Sequence, residues 1–501
     1  MNVARVHQSR EQWKKTAVER RKKIEATQRQ IVRLRRKLAD HAEANARLKA
    51  RIAELESAAD QRVSALVPLR FRSQQVRVVC VMFFLIGVVP CNAAARILGF
   101  LGASQRFPCD WIPDPSSIVN WLGRAGLGLL QGVTTLDSPW VAIIDTSISF
   151  GKNKALVCLR IRLDHFLSKK SAPTIADVQC IGMTCSEVWN GNTVAAALAR
   201  IFALSGMPTA ILKDGGSDLA KGVEILLALQ RKEGRQVLIL RDVGHVAANA
   251  LKALYARNGL LGRFLAIIEK ARAHMSQSDI AALRPPRLRT KGRYQGISRL
   301  VEWAASMAWY SSGRGRARTG TLAEALRKVL PGLASMRFFL QRFERDCRGL
   351  NKFLALLKNN GLSKETGRQA QLILAQLPRT SKLRSALRSW LDAHLALQNS
   401  LADDAPLLVS SDIIETVMGQ LKNVIERMPL PEFSTLALTV PLFCGGQTEE
   451  SIDHSLVRCS HKSLMDWRSE NCVRTHRKRR DEILTHQLIE TVQDPPIMRA
   501  A

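Results

Sequence analysis

Three acidic residues stand where they could do chemistry. Asp145 follows the apolar run WVAII, Asp214 closes AILK, and Glu415 lies in the helical phrase SSDIIETVMGQLK. Carboxylates brought together at the ends of neighbouring strands repel one another unless a cation lies between them, and hard oxygen donors of this kind suit Mg2+. A third carboxylate completes a set for two ions, one activating a water or a 3′ hydroxyl and the other stabilising a leaving oxygen. Asp145, Asp214 and Glu415 are therefore the expected metal ligands, with Mn2+ an acceptable substitute. Lys422 follows Glu415 by seven residues, two helical turns on the same face, and is suited to a phosphate contact. Each acid also has an ordinary use. Asp145 and Asp214 could cap turns, the latter before Gly215 and Gly216, and Asp412 with Glu415 reads as a capping box. Asp412 is the second choice for the third ligand.

Other residues have weaker claims. Asp242 and His245, in RDVGH, fall at the end of another strand, where His245 could face a scissile phosphate and Asp242 could either assist it or cap the next helix. Cys459, His461, Cys472 and His476 have zinc-type chemistry, but zinc modules usually separate their first two ligands by two to four residues, and only one does so here. Trp303 and Trp309 lie near the Gly-Arg run at 313–318; they could stack on an unpaired base or simply pack between helices. The run itself reads as a phosphate-binding loop and lacks the GxxxxGK[ST] pattern of a nucleotide cradle.

The elements that must position these residues alternate. WVAIIDTSISF, KALVCLRIRL and DVQCIGMTCSE read as three strands in an antiparallel meander, followed by helix, strand TAILKD, helix, strand QVLILRD and helix. This order predicts a mixed sheet covered by helices, and if strand four lies beside strand one, Asp145 and Asp214 meet. Residues 251–408 lose the strand signal and read as a helical insertion. One well-started helix follows over 409–430, and then a tail over 431–501. Upstream, residues 1–65 form a basic segment with heptad positions Ile24, Ile31, Leu38 and Ile52 and a lone Asn45, the pattern of a coiled-coil dimer. Over 70–135, three short helices suit a helix-turn-helix, the third opened by Asp114 and Pro115 and carrying Arg124 toward a DNA groove.

Charge narrows the partner. The chain of 501 residues has 75 Lys and Arg against 43 Asp and Glu, a formal net charge of +32. Residues 246–408 alone hold 28 basic and 10 acidic residues. Such an excess points to double-stranded DNA or another polyanion. The longest uncharged apolar run, 78–89, is too short to span a bilayer, which needs about 20 residues in a helix. With no signal-peptide pattern, the ten cysteines read as free thiols in a cytoplasmic, nucleoid-associated protein.

Asp145, Asp214, Glu415 and the E-x6-K spacing to Lys422, in this order of strands and helices, resemble the DDE transposases of bacterial insertion sequences, including the IS4-related group. The signature's Tyr and Arg, seven and four residues before the Glu, are here Leu408 and Ser411. The resemblance covers about residues 136–250 and 409–430. It implies a multidomain α/β chain with an RNase H-like core interrupted by an all-α insertion, in which two Mg2+ ions support cleavage at transposon ends and joining of the 3′ hydroxyl to target DNA. A homodimer or higher oligomer would hold two ends together. Two other readings stay open: an RNase H-like nuclease without strand joining, and a non-catalytic DNA-binding regulator.

Overall fold

A computed structural model describes residues 73–103, 111–150, 153–169, 171–231, 236–288, 296–311, 321–401, 406–427 and 433–471, with Tyr294, Leu484 and positions between 13 and 54. The chain divides into two compact units, the smaller comprising 1–71 and 101–110. In the smaller unit the described residues between 30 and 51 are helical, and Ile31, Leu34 and Leu48 are exposed. Ile24, Leu38 and Ile52 lie outside the described residues.

The larger unit is mixed α/β and centres on a five-stranded sheet. Its strands are β1 (Trp140–Phe150), β2 (Asn153–Arg162), β3 (Gln179–Ser186), β4 (Ala210–Lys213) and β5 (Leu238–Arg241), in the order β3-β2-β1-β4-β5. The first three strands form the expected antiparallel meander, and β4 and β5 run parallel to β1. Strand four does lie beside strand one. A parallel neighbour needs a crossover, and the helices that supply it pack on the sheet. Trp140, Ala142, Ile144, Leu156, Cys158 and Ile211 face the helices at Gly191–Ser205 and Ser217–Arg231. The alternate residues Val141, Ile143, Val157 and Leu159 are also fully enclosed. Both faces are covered, which explains why the strands read as continuous apolar runs.

In chain order the helices of this unit are α1 (Ser73–Gly87), α2 (Cys91–Ala103), α3 (Pro115–Gln131), α4 (Leu163–Lys169), α5 (Gly191–Ser205), α6 (Ser217–Arg231), α7 (Val243–Tyr255), α8 (Gly259–Met275), α9 (Ile297–Ser311), α10 (Thr321–Val329), α11 (Arg337–Asn360), α12 (Lys364–Ala375), α13 (Lys382–Asn399), α14 (Asp412–Arg427), α15 (Phe433–Ala437), α16 (Val440–Phe443), α17 (Glu449–Arg458) and α18 (His461–Glu470). α2 ends in the three residues that belong to the smaller unit. The regular structure of the insertion is helical where described, apart from a two-bond bridge between Leu362, in its interior, and Leu407, near its C-terminal end.

Two expectations change. α3 is capped as anticipated, Asp114 accepting from the Ser116 amide at 2.8 Å, but it does not present a groove-reading face. Ile118, Trp121, Leu122, Ala125 and Leu127 are buried, and Arg124 donates to the carbonyls of Cys459 (2.7 Å) and Leu456 (2.6 Å). The partner of α3 is the second surprise. The first part of the supposed tail, 433–471, folds into α15–α18, and Leu127, Leu438, Cys459 and Leu464 share one small core. Contact is so close that a Cβ on Gly126 would lie 1.9 Å from the Leu438 carbonyl oxygen, and one on Gly128 2.0 Å from that of Ser455. The glycines of AGLGLL exist for this approach.

Candidate active site

The carboxylates are gathered by strand register. Ile144 pairs with Lys213, and Lys213 with Arg241, so the next residues on β1, β4 and β5 are Asp145, Asp214 and Asp242. Adjacent strands lie about 4.8 Å apart, which makes these three acids a row across the sheet. Alternation from Ile144 and Ile211, which face α5 and α6, turns Asp145 and Asp214 to the other face, where α14 packs against β1. One detail differs from the sequence reading. Asp145 does not end β1, which continues to Phe150; it stands where pairing with β4 stops and where the register with β2 shifts, between Asp145 and Ile148. The apolar run ended at Asp145 because the covered part of the strand ends there.

Asp214 turns its carboxylate into the following loop, Oδ1 accepting from the Gly216 amide at 2.9 Å. The turn reading of Asp214 is thus the one observed, one oxygen serving the loop that follows β4.

Asp242 is 3% exposed and saturated. Its Oδ1 accepts from the amides of Gly244 (3.2 Å) and Ser411 (3.1 Å), and its Oδ2 from the His245 amide (3.0 Å) and from His245 Nδ1 (2.7 Å). It is the N-cap of α7. It is also a clamp, because Ser411 leads directly into α14, and the Val243 amide donates to the Val409 carbonyl at 2.9 Å beside it. Four accepted bonds leave no lone pair for a metal.

His245 is thereby oriented. The hydrogen bond to Asp242 raises its pKa to about 9 against the opposing effect of burial, and the charges of Asp242, Asp214 and Glu415 act in the same direction. In the ion-free protein the imidazole is a cation at neutral pH, with Nδ1 held by Asp242. Asp242 itself is held below the usual carboxylate range, its hydrogen bonds to His245 and Ser411 outweighing burial.

Glu415 is exposed on α14, one turn beyond Asp412. Asp412 does not cap α14 but is its first residue. Its carboxylate forms an ion pair with Lys358 of α11 and comes to the first turn of α7, where a Cβ on Gly244 would meet Asp242 Oδ2 at 3.3 Å and Asp412 Oδ1 at 3.6 Å. Gly244, Lys358, Asp412, Glu415, Gly419 and Asn423 line a cleft of about 540 Å3 along this helix. Lys422 is exposed two turns after Glu415. Lys358 is the residue the sequence did not reveal. It comes from the insertion, 54 positions before Asp412, and its local signal is only that segment's excess charge.

The donors fit a hard cation in kind: Asp145 and Asp214 follow paired residues of adjacent strands, and Glu415 and Asp214 both act on the His245 imidazole. Among the described residues no group of three or more His, Cys, Asp or Glu is drawn together tightly enough to hold an ion. The zinc pattern fares worse. Cys459 is fully buried in the α3 core, and Cys472 and His476 lie outside the described residues. Of the aromatic pair, Trp303 packs with its Nε1 donating to the Leu283 carbonyl at 3.0 Å, while Trp309 is half exposed beside Tyr310. The Gly-Arg run at 313–318 is outside the described residues. The eight described cysteines are buried and no disulfide joins any two of them, and among the described residues no helix is long and apolar enough to cross a membrane.

No protein-family model matches the chain, and no curated protein matches it. Among solved structures, it is similar to a chain of the Drosophila P element transposase strand transfer complex, at 12% identity over 77% of this chain and 94% of that one, with a TM-score of 0.39.

Proposed function

We propose that this chain is a DNA transposase of the DDE class, cleaving phosphodiesters at transposon ends and joining the freed 3′ hydroxyl to target DNA. The observation that carries the reading is the register of β1 with β4: it sets Asp145 beside Asp214, and the helix of Glu415 packs against β1. The order of five strands, with only β2 reversed, supports an RNase H-like core.

In this reading Asp145, Asp214 and Glu415 would hold two Mg2+ ions. When bound, the ions would lower the pKa of an attacking water and stabilise the departing oxygen. The protein's own groups do the rest. Lys422 contacts a DNA phosphate along α14. His245, fixed by Asp242, offers its second nitrogen to a phosphate oxygen, and the Lys358–Asp412 pair holds the mouth of the cleft while the insertion supplies cationic surface. The helical segment in 1–65 joins two copies so that two ends are processed together in the cytoplasm.

The direct test uses a supercoiled plasmid with the DNA that flanks the gene. Wild type should nick and join it in Mg2+ or Mn2+, and Asp145→Ala should do neither while retaining its far-ultraviolet circular dichroism. Cleavage by the Ala variant would remove Asp145 from the site. Cleavage without joined products by the wild type would make the chain a nuclease.

A further inference from the structure

A cleft of about 690 Å3 in the sheet unit is remote from the carboxylate row. It opens where β2 ends and β1 begins, Arg162 being paired with Trp140, whereas the row lies beyond the last residues of β4 and β5. Leu129, Leu136 and Val178 supply apolar wall, and Arg160, Arg162 and Gln179 supply donors. A volume in this range suits a small molecule.

Arg160 is the anomaly. It is 6% exposed, yet no carboxylate pairs with it among the described residues. Its Nε donates to Gln179 Oε1 at 2.8 Å and its Nη1 to the Thr134 carbonyl at 2.6 Å. Nη2 has no partner among the described residues, and it is not one of the fully enclosed polar atoms, so it opens to the cleft. A buried charge ordinarily has a counter-charge, because desolvation costs several kcal/mol per ion.

The carboxylates that line the cleft cannot supply one, since both are committed. Asp164 is paired with Arg162 and accepts from the His165 amide at 2.7 Å. Asp177 is paired with Lys169, meets His165 Nε2 at 2.8 Å, and accepts from the amide (2.6 Å) and hydroxyl (2.7 Å) of Thr174. Gln447 is occupied as well, by the Cys444 carbonyl and by Ser451. What remains unspent is one positive charge at Arg160, flanked by the amide nitrogen of Gln179, whose oxygen is already turned to the guanidinium.

We propose that this cleft binds a phosphoryl group, with Arg160 Nη2 and the Gln179 amide nitrogen donating to its oxygens. The phosphate is supplied by a mobile phosphate ester or by a DNA backbone, and either source satisfies the same two donors. This assignment stands independently of the catalytic reading.

The experiment is thermal unfolding of the full-length protein at constant ionic strength, with inorganic phosphate, adenosine monophosphate or a short DNA duplex as probe and chloride as the control. The informative variant is Gln179→Glu, which keeps the side chain's shape and gives Arg160 its own carboxylate. Phosphate should raise the wild-type Tm by about 2 °C or more at saturating concentration. Gln179→Glu should raise the Tm without phosphate and abolish the response; Arg160→Gln should abolish it too. Asp145→Ala should respond as wild type does, which separates this site from the carboxylate row. A variant-sensitive rise with phosphate or the monophosphate assigns a small ligand, and one with duplex alone assigns the DNA backbone. If none of the probes gives a rise that Gln179→Glu removes, the proposal is overturned.

Discussion

Asp242 and His245 show how one buried carboxylate can organise three segments of chain through hydrogen bonds alone. Asp242 fills its four acceptor positions with the first turn of α7, the His245 ring and the lead-in to α14. Replacing it with Asn substitutes a donor for one oxygen and breaks two of those bonds. Outer partners of this sort commonly contribute roughly 10–100-fold to activity, and Asp242→Asn should lower DNA cleavage by about that much while leaving the fold cooperative. The imidazole makes a second prediction. Its folded pKa, about 9, stands above the unfolded value of roughly 6.5, so in the absence of metal its contribution to stability is full below pH 6.5. The contribution declines as pH rises and is lost through about pH 9. The Tm of wild type minus that of His245→Gln, measured in chelator from pH 6 to 10, should fall toward zero at the alkaline end. A difference that does not change with pH would mean the ring is neutral in the folded protein. At this scale the sequence was legible in part. Asp214, Asp242 and His245 stood out because strand ends put acids next to glycine and turn residues, and Asp145 because it breaks an apolar run. Lys358 and the Ser411 amide did not, since neither has a local pattern that announces a partner so far along the chain.

At the scale of elements, the sheet has to close its open edge at β5, and the insertion closes it. β5 has a neighbour on one side only. On the other side, the Arg241 amide donates to His394 Nε2 at 3.0 Å and the Arg241 carbonyl accepts from Trp390 Nε1 at 3.1 Å, both from α13. His394 Nδ1 is in turn bonded to the Trp390 carbonyl at 2.8 Å, which fixes the tautomer with Nε2 as acceptor. Two side chains thus stand in for a missing strand at the residue before Asp242. The arrangement requires a neutral imidazole, and burial accordingly lowers the pKa of His394. A depressed pKa gives the opposite sign to His245: stability is full above the unfolded value near 6.5 and is lost as pH falls through the folded value. Hydrogen exchange at the Arg241 amide should accelerate, after correction for intrinsic rate, as pH falls below about 6.5. Trp390→Phe should cost about 1–3 kcal/mol by leaving the Arg241 carbonyl unpaired, read from chemical denaturation. Sequence periodicity located every strand of the sheet because alternation and apolar runs are local. It missed that α3 packs against α15–α18, where the partners of Arg124 lie more than 330 positions further along the chain, because a glycine-rich packing face has no local pattern that names its partner.

The molecule as a whole has to neutralise a net charge of +32, and the charge is not spread evenly. α11 has 24 residues, about 36 Å of helix, and reaches the cleft through Lys358. Its outward face carries Arg342, Arg345 and Lys352, all exposed and spaced to share one side, while Arg348 is occupied by Glu344 at 2.6 Å. The inward face is built from Phe339, Phe343, Leu350 and Phe353, so removing the outer cations leaves the packing intact. Within the row, among the described residues, only Arg345 has an acid at hand, Asp346 at 3.9 Å, and such a row of like charges costs stability through self-repulsion, which makes sense if a polyanion lies along it. Binding of duplex DNA should then release counterions, with log K falling against log salt by roughly 0.9 for each phosphate contacted. The triple substitution of Arg342, Arg345 and Lys352 to Ala should reduce that slope by up to about 2.7 and weaken binding similarly for every DNA sequence. Tm should be unchanged or slightly higher. If affinity falls while the slope stays as it is in the wild type, α11 does not lie against the phosphate backbone, and the charge that brings DNA to the cleft belongs to another face of the insertion.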